Sequence, residues 1–152
     1  MKRMRYEFDH WDNAIQGYKE TERLNWSKVN AETLKKIHEF AFPEWCHKIE
    51  HVHVLDLSED GYIKPHIDSV KFCGDLIVGL SLLSDSVMRL VGENMVVDAL
   101  LRRRSLYVMK GSVRYNFTHE ILSNDTSLFR DQRIKKSRRI SVICRSAPVN
   151  TV

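Results

Sequence analysis

The chain has 152 residues, 43% of them hydrophobic and 29% charged, with a net charge of +4 at neutral pH. That length suits one domain burying about two-thirds of its unfolded surface, and no apolar run approaches the roughly 20 residues of a membrane-spanning helix. Cys46, Cys73 and Cys144 lie far apart with no CxxC spacing, which excludes a disulfide framework or zinc knuckle and points to a reducing compartment.

The opening M-K-R-M-R runs at once into Glu7, Asp9 and Asp12, unlike the acid-poor, Ser-rich composition of a transit peptide, so no presequence is legible. Residues 6–26 are aromatic and charged without a sustained period. His10 and Asp12 within them read as a surface histidine beside a helix-capping aspartate. Asn30 reads as the N-cap of a helix with Leu34, Ile37, Phe40 and Ala41 on one stripe and His38 beside it, structural or solvated. Pro43 ends that helix. Trp26 and Trp45 read as core packing. Residues of about 10–45 thus form an N-terminal helical part.

From His51 the period changes to two, and H-V-H-V-L-D-L alternates as a strand whose two histidines face solvent. Residues 58–61 read as a turn. Residues 75–84 and 86–92 are the best strand material, with a tight hairpin at Ser84-Asp85 between them. Two shorter strands follow at 95–101 and 105–110, joined by the arginines at 102–104. Gly111-Ser112 breaks the chain before R-Y-N-F-T-H-E-I, and residues 138–145 form the last strand before a fraying tail. Short strands at close intervals, one N-terminal helix and no βα alternation predict a mainly β fold. The expected architecture is a double-stranded β-helix, or jelly roll, with its core at about 51–146 in a single domain of 1–152.

The chemistry concentrates in G-Y-I-K-P-H-I-D-S, residues 61–69. On extended chain, His66 and Asp68 point to one face. They would supply two-thirds of a 2-His-1-carboxylate facial triad, which leaves half of an octahedral Fe(II) open. With 7 His and 20 acidic residues, such a pair arises by chance about once, so its company decides. His119 is the only histidine downstream and lies in an extended segment, as a third ligand should. On the last strand Arg139, Ser141, Ile143 and Arg145 share a face. Two guanidiniums and a hydroxyl there are poor core material but suit a small dicarboxylate, because arginine forks match carboxylates. Arg138, Lys135 and Lys136 read as a solvated basic edge.

His-x-Asp, a distal His and Arg-x-x-x-x-x-Arg together resemble the AlkB family of Fe(II)- and 2-oxoglutarate-dependent dioxygenases, in particular its mitochondrial branch. Segments such as S-L-Y-V-M-K-G-S-x-R-Y-x-F-x-H-E-I-L and R-R-I-S-V-I-C-R-S carry the likeness across residues 6–147. The resemblance implies that His66, Asp68 and His119 are the catalytic metal ligands. It implies cosubstrate contacts from Arg139, Arg145, Tyr107 and Ser141, with Leu55 in the pocket wall. It further implies Fe(II) as cofactor, 2-oxoglutarate and O2 as cosubstrates, a mitochondrial location, and roles in fatty-acid metabolism and alkylation-induced necrosis. A monomer acting on a protein substrate is expected. The nine residues between the helix and the His51 strand are too short for the lid that grips a flipped nucleotide, which disfavours duplex DNA. Demethylation of mitochondrial RNA is the alternative, with the basic runs at 102–104 and 133–139 as phosphate contacts. A non-catalytic jelly-roll binding module is the third reading.

Overall fold

A computed structural model describes residues 14–149; His10 and Asp12 lie outside them. The elements are β1 (Ile15–Arg23), α1 (Lys28–Ala41), β2 (Val52–His66), β3 (Ile77–Leu82), β4 (Ser86–Val91), β5 (Val96–Leu101) and β6 (Ser105–Met109). They continue with α2 (Ser112–Asn116), β7 (Thr118–Ile121), the short pair β8 (Leu128–Phe129) and β9 (Gln132–Arg133), and β10 (Arg139–Arg145). The strand order β5-β4-β7-β2-β10-β3-β6, with β1 added on β2, folds into a nearly closed antiparallel barrel, the jelly roll expected from the strand spacing.

β2 organises the barrel. Its first half pairs with β10 (Leu55 opposite Ser141) and its second half with β7 (His66 opposite His119), so one strand belongs to both walls. Residues 58–61, expected as a turn, are instead extended chain within β2. The irregularity falls in the register with β1, which slips between Gln16 and Tyr18 at Gly17, where φ is +63°. A Cβ at Gly17 would collide with Ser58 Oγ, so glycine is required on both counts.

Alternation divides the side chains of the β2-β10-β3-β6 wall. Val52, Val78 and Cys144 point outward and are sealed by Leu34 and Ile37 of α1. Leu55, Leu57, Ile77 and Met109 point inward, where they meet Ile63, Met88 and Ile121 of the opposite wall.

Several sequence expectations shift. The N-terminal part is not helical throughout, because residues 15–23 pair with β2 as a strand and supply the wall's outer neighbour. The N-cap is Ser27, whose hydroxyl accepts from the Asn30 N–H, one turn earlier than expected. Phe40 is 79% exposed, since Leu34, Ile37 and Ala41 centre the buried stripe and leave it on an uncovered flank; Trp45 is 78% exposed, whereas Trp26 does pack against the α1 cluster. Residues 83–85 are not a hairpin turn. β3 pairs with β10 and β6 while β4 pairs with β5 and β7, so the connection crosses from one wall to the other.

Lys136 corrects the solvated-edge reading most sharply, with 0% exposure. Its ammonium donates to the carbonyls of Ser58 (2.7 Å) and Glu59 (2.6 Å), while Asn124 brackets its backbone with bonds of 2.7 and 2.8 Å. The side chain thus satisfies the carbonyls exposed where β2 departs from regular pairing. Burial pushes its pKa down to about 8. The unfolded chain therefore holds more protons than the folded one between about pH 8 and the ordinary lysine value, and stability from this group rises with pH across that window. A neutral amine retains two N–H donors, enough for both carbonyls. The unfolding free energy of the native chain relative to Lys136→Met, measured in urea, is expected to grow from pH 8 to pH 10 and to stay flat from pH 6 to 7.

Candidate active site

β2 ends at His66, and Asp68 lies two residues further on, in the loop that leaves the barrel. Arg114 of α2 holds that loop. Only 2% exposed, its guanidinium donates to the carbonyls of Asp68 (2.9 Å), Cys73 (3.1 Å) and Gly74 (3.0 Å). His119 comes from β7 directly opposite His66, with the two ring centroids 4.2 Å apart. The Nε2 atoms of His66 and His119 stand 3.3 and 3.5 Å from Asp68 Oδ1. Among the described residues this is the one group of three or more His, Cys, Asp or Glu whose donor atoms lie within 4.8 Å of one another.

The donor set fits a cation. His66 Nδ1 lies 2.9 Å from the Lys64 carbonyl, which can only accept, so Nδ1 carries the hydrogen and the Nε2 lone pair faces a carboxylate oxygen. A metal ion between lone pair and carboxylate is what resolves that repulsion. Burial drives the Asp68 pKa upward, but the contacts with the His119 and His66 rings and the charge of Arg145 outweigh it and hold the carboxyl well below its usual range. His119 is shifted down, chiefly by burial, with the Asp68 bond opposing. An ionised carboxylate and a neutral imidazole are the states a metal needs.

Below the triad, Leu55, Tyr107, Arg139, Ser141 and Arg145 all line a small inner cavity of about 60 Å³, so every cosubstrate position named from the sequence reaches one place. Arg139 is 1% exposed and donates through Nε to Ser81 Oγ at 3.0 Å, while its Nη2 and the Ser141 hydroxyl are buried with no partner in the protein. A buried guanidinium with free N–H groups beside an unpaired hydroxyl calls for an anionic acceptor, and a carboxylate of 2-oxoglutarate suits both. Burial lowers the Arg139 pKa, with the neighbouring Tyr107 opposing. Gly79, across from Tyr107, makes room for that ring: a Cβ there would land on the phenol. Arg145 has a further engagement, since its Nε donates to Asp68 Oδ2 at 2.9 Å. Above the triad a wider cavity of about 900 Å³ opens between β1 and the loop of residues 67–73.

Four contributors escaped the sequence reading: Arg114, Gly79, Glu20 and His53. His53 was expected in solvent, yet it is half-buried, 3.0 Å from Glu20 and 3.3 Å from Arg145. The alternation that put Leu55 inside also put His53 there, and that signal was present. Arg114 and Glu20 had no local signal.

A jelly roll with two histidines and a carboxylate above an arginine-floored cavity has the architecture of an Fe(II)/2-oxoglutarate oxygenase. Solved structures agree on the fold: a Pseudomonas putida prolyl-4-hydroxylase aligns with 93% of the chain and 77% of its own (TM-score 0.64, 11% identity). A prolyl hydroxylase from Trichoplax adhaerens covers 94% and 70% (TM-score 0.60, 12% identity), and OsALKBH1 covers 92% and 82% (TM-score 0.59, 10% identity). No family model matches the chain. Curated relatives do. The alpha-ketoglutarate-dependent dioxygenases named alkB homolog 7, mitochondrial, from Bos taurus and Mus musculus are 52% and 51% identical over 97% of this chain and 68% of their own lengths. The chain belongs to this alkB homolog 7 family of dioxygenases, whose members use Fe(II) and 2-oxoglutarate.

Proposed function

We propose that this dioxygenase oxidises a protein side chain, with His66, Asp68 and His119 holding Fe(II) and the inner cavity holding 2-oxoglutarate. Bound Fe(II) supplies the chemistry that converts O2 and 2-oxoglutarate into succinate, CO2 and an oxidised substrate C–H bond. The residues do the rest. Arg139 anchors the distal carboxylate, with Ser141 and Tyr107 as hydroxyl partners; Leu55 walls the cavity; Arg145 fixes Asp68 and borders the cosubstrate. Residues 1–152 act as one dioxygenase unit, as a monomer.

The observation that carries the substrate class is the mouth. Ile67 within the iron-holding dyad and Phe72 just after it, exposed by 40 and 63%, form an apolar lip, and Glu20 and Glu22 line the same outer cavity. Such a rim suits a polypeptide better than a polyanion. The three exposed arginines at 102–104 sit at the other end of the barrel, where the Arg104 N–H bonds the Ser81 carbonyl beside the start of β10. Ser81 lies opposite Ser141, and the stretch of β10 from there to Arg145, about 13 Å at the usual rise, separates that bond from the mouth. The compartment is mitochondrial, supported by the names of both relatives; roles in fatty-acid metabolism and alkylation-induced necrosis follow only from the family resemblance.

The test is anaerobic addition of Fe(II) and 2-oxoglutarate to the purified chain. A visible metal-to-ligand charge-transfer band is expected, absent in His66→Ala. No band from folded native protein would favour the non-catalytic binding module. RNA binding that weakens steeply with salt, with loss of methyl groups from that RNA, would favour the RNA-demethylase alternative over a protein substrate.

A further inference from the structure

The geometry points to His53, backed by Glu20, as the positioning residue that sets Arg145 and through it the iron-holding carboxylate. This rests on the reading of His66, Asp68 and His119 as the iron site.

Three strands contribute. Ile143 of β10 lies opposite His53 of β2, and Glu22 of β1 lies opposite it on the other edge, so β1 brings Glu20 within reach diagonally. Arg145 donates through Nε to Asp68 Oδ2 at 2.9 Å, and its Nη1 stands 3.3 Å from His53 Nδ1. A guanidinium can only donate, so Nδ1 must accept. The imidazole is then neutral with its hydrogen on Nε2, which donates to Glu20 Oε2 at 3.0 Å. Glu20 therefore selects the one tautomer able to receive Arg145. Burial, reinforced by the charge of Arg145, lowers the His53 pKa and agrees with the neutral form.

The arrangement has a consequence for the metal. Asp68 uses Oδ1 toward the two histidines and Oδ2 toward Arg145. A carboxylate on a loop can rotate. Arg145, held at two points by His53 of β2 and by Asp68 itself, keeps Oδ1 turned to the metal position. Without His53 the guanidinium keeps a single anchor and can swing into either cavity that it lines.

The experiment compares the native chain with His53→Leu, His53→Asn and Glu20→Gln by anaerobic Fe(II) titration, with thermal melting to establish folding. Removing a partner behind a metal ligand weakens metal binding about 10-fold or more. His53→Leu is expected to show that loss with a melting temperature close to native. The Asn variant, whose Oδ1 can take the place of Nδ1, should recover most of it, and Glu20→Gln should fall between. A folded His53→Leu protein with native Fe(II) affinity, or an Asn variant no better than Leu, would overturn the proposal. A second readout needs no metal. The Arg145 Nε–H resonance in ¹⁵N spectra should exchange faster with solvent in His53→Leu and slow again in His53→Asn; unchanged exchange would equally overturn it. A native chain that bound no Fe(II) would sink the iron reading, while this resonance would still decide the role of His53.

Discussion

Replacing Arg139 by Met is expected to raise the dissociation constant of 2-oxoglutarate by roughly 30-fold to more than a thousandfold, while Fe(II) affinity changes little. The range follows from the roughly 2–5 kcal/mol lost when one partner of a buried charged pair is truncated, at about 1.4 kcal/mol per tenfold. Arg139 is 1% exposed, so an anchoring bond from it to the carboxylate would lie out of reach of bulk water. Titrating cosubstrate into Fe(II)-loaded protein measures the first quantity, and Fe(II) titration without cosubstrate the second. Equal loss of both would contradict an anchoring role, since Arg139 touches neither histidine. The cosubstrate-free protein should behave in the opposite sense. There the guanidinium is a buried charge bonded through Nε to Ser81, with Nη2 unpaired. Met fills a similar volume without that desolvation cost, so the melting temperature of Arg139→Met should equal or exceed native. Added 2-oxoglutarate should then stabilise the native chain and leave the variant unmoved.

Asp68→Ala should abolish Fe(II) binding and, in addition, destabilise the metal-free protein by roughly 2–3 kcal/mol. Breaking a fully buried ion pair costs about 3–5 kcal/mol, and the lower figure reflects the 19% of the Arg145 side chain that stays exposed. Asp68→Asn retains an acceptor for Arg145 Nε and should recover part of the stability without recovering the metal. The pH dependence has a definite sign. The folded-state pKa of Asp68 lies far below its unfolded value, so its contribution is complete above the ordinary aspartate range and drains away as pH falls below it. The stability difference between native chain and Asp68→Ala, measured by urea unfolding, should therefore hold level from pH 7 to 5 and shrink below about pH 4. A difference that grew on acidification would contradict the ion pair.

Some of this was legible in residue order because strands translate spacing into direction. Arg139, Ser141 and Arg145 share a face by parity alone, and they line one cavity with Leu55 and Tyr107, which only the family resemblance had singled out. The strands at 95–101 and 105–110, with the arginines between them, stand within a residue of expectation. The His66-x-Asp68 spacing led to one point, although Asp68 reached it from a loop.

Elsewhere local pattern misled. The polar run at 58–61 has turn composition, yet Lys136, 77 residues from Glu59 in sequence, satisfies the carbonyls that a turn would have satisfied itself. Ser84-Asp85 looked like a hairpin because the strands on either side are strong, but a strand's partner is set by the whole barrel. His53 was assigned to solvent because nothing nearby in sequence needed it, whereas its partners come from β1 and β10.

Sequence alone determined the chemistry available: two histidines and a carboxylate at strand spacing, two arginines on one face, and alternation enough for a barrel. The tertiary structure decided which of those groups meet. Orphaned atoms at Arg139 and Ser141, the Arg114 clasp on the Asp68 loop, and the Glu20–His53–Arg145 line all depend on closing long loops between strands. Periodicity fixes which way a side chain points; only the packed barrel fixes what it points at.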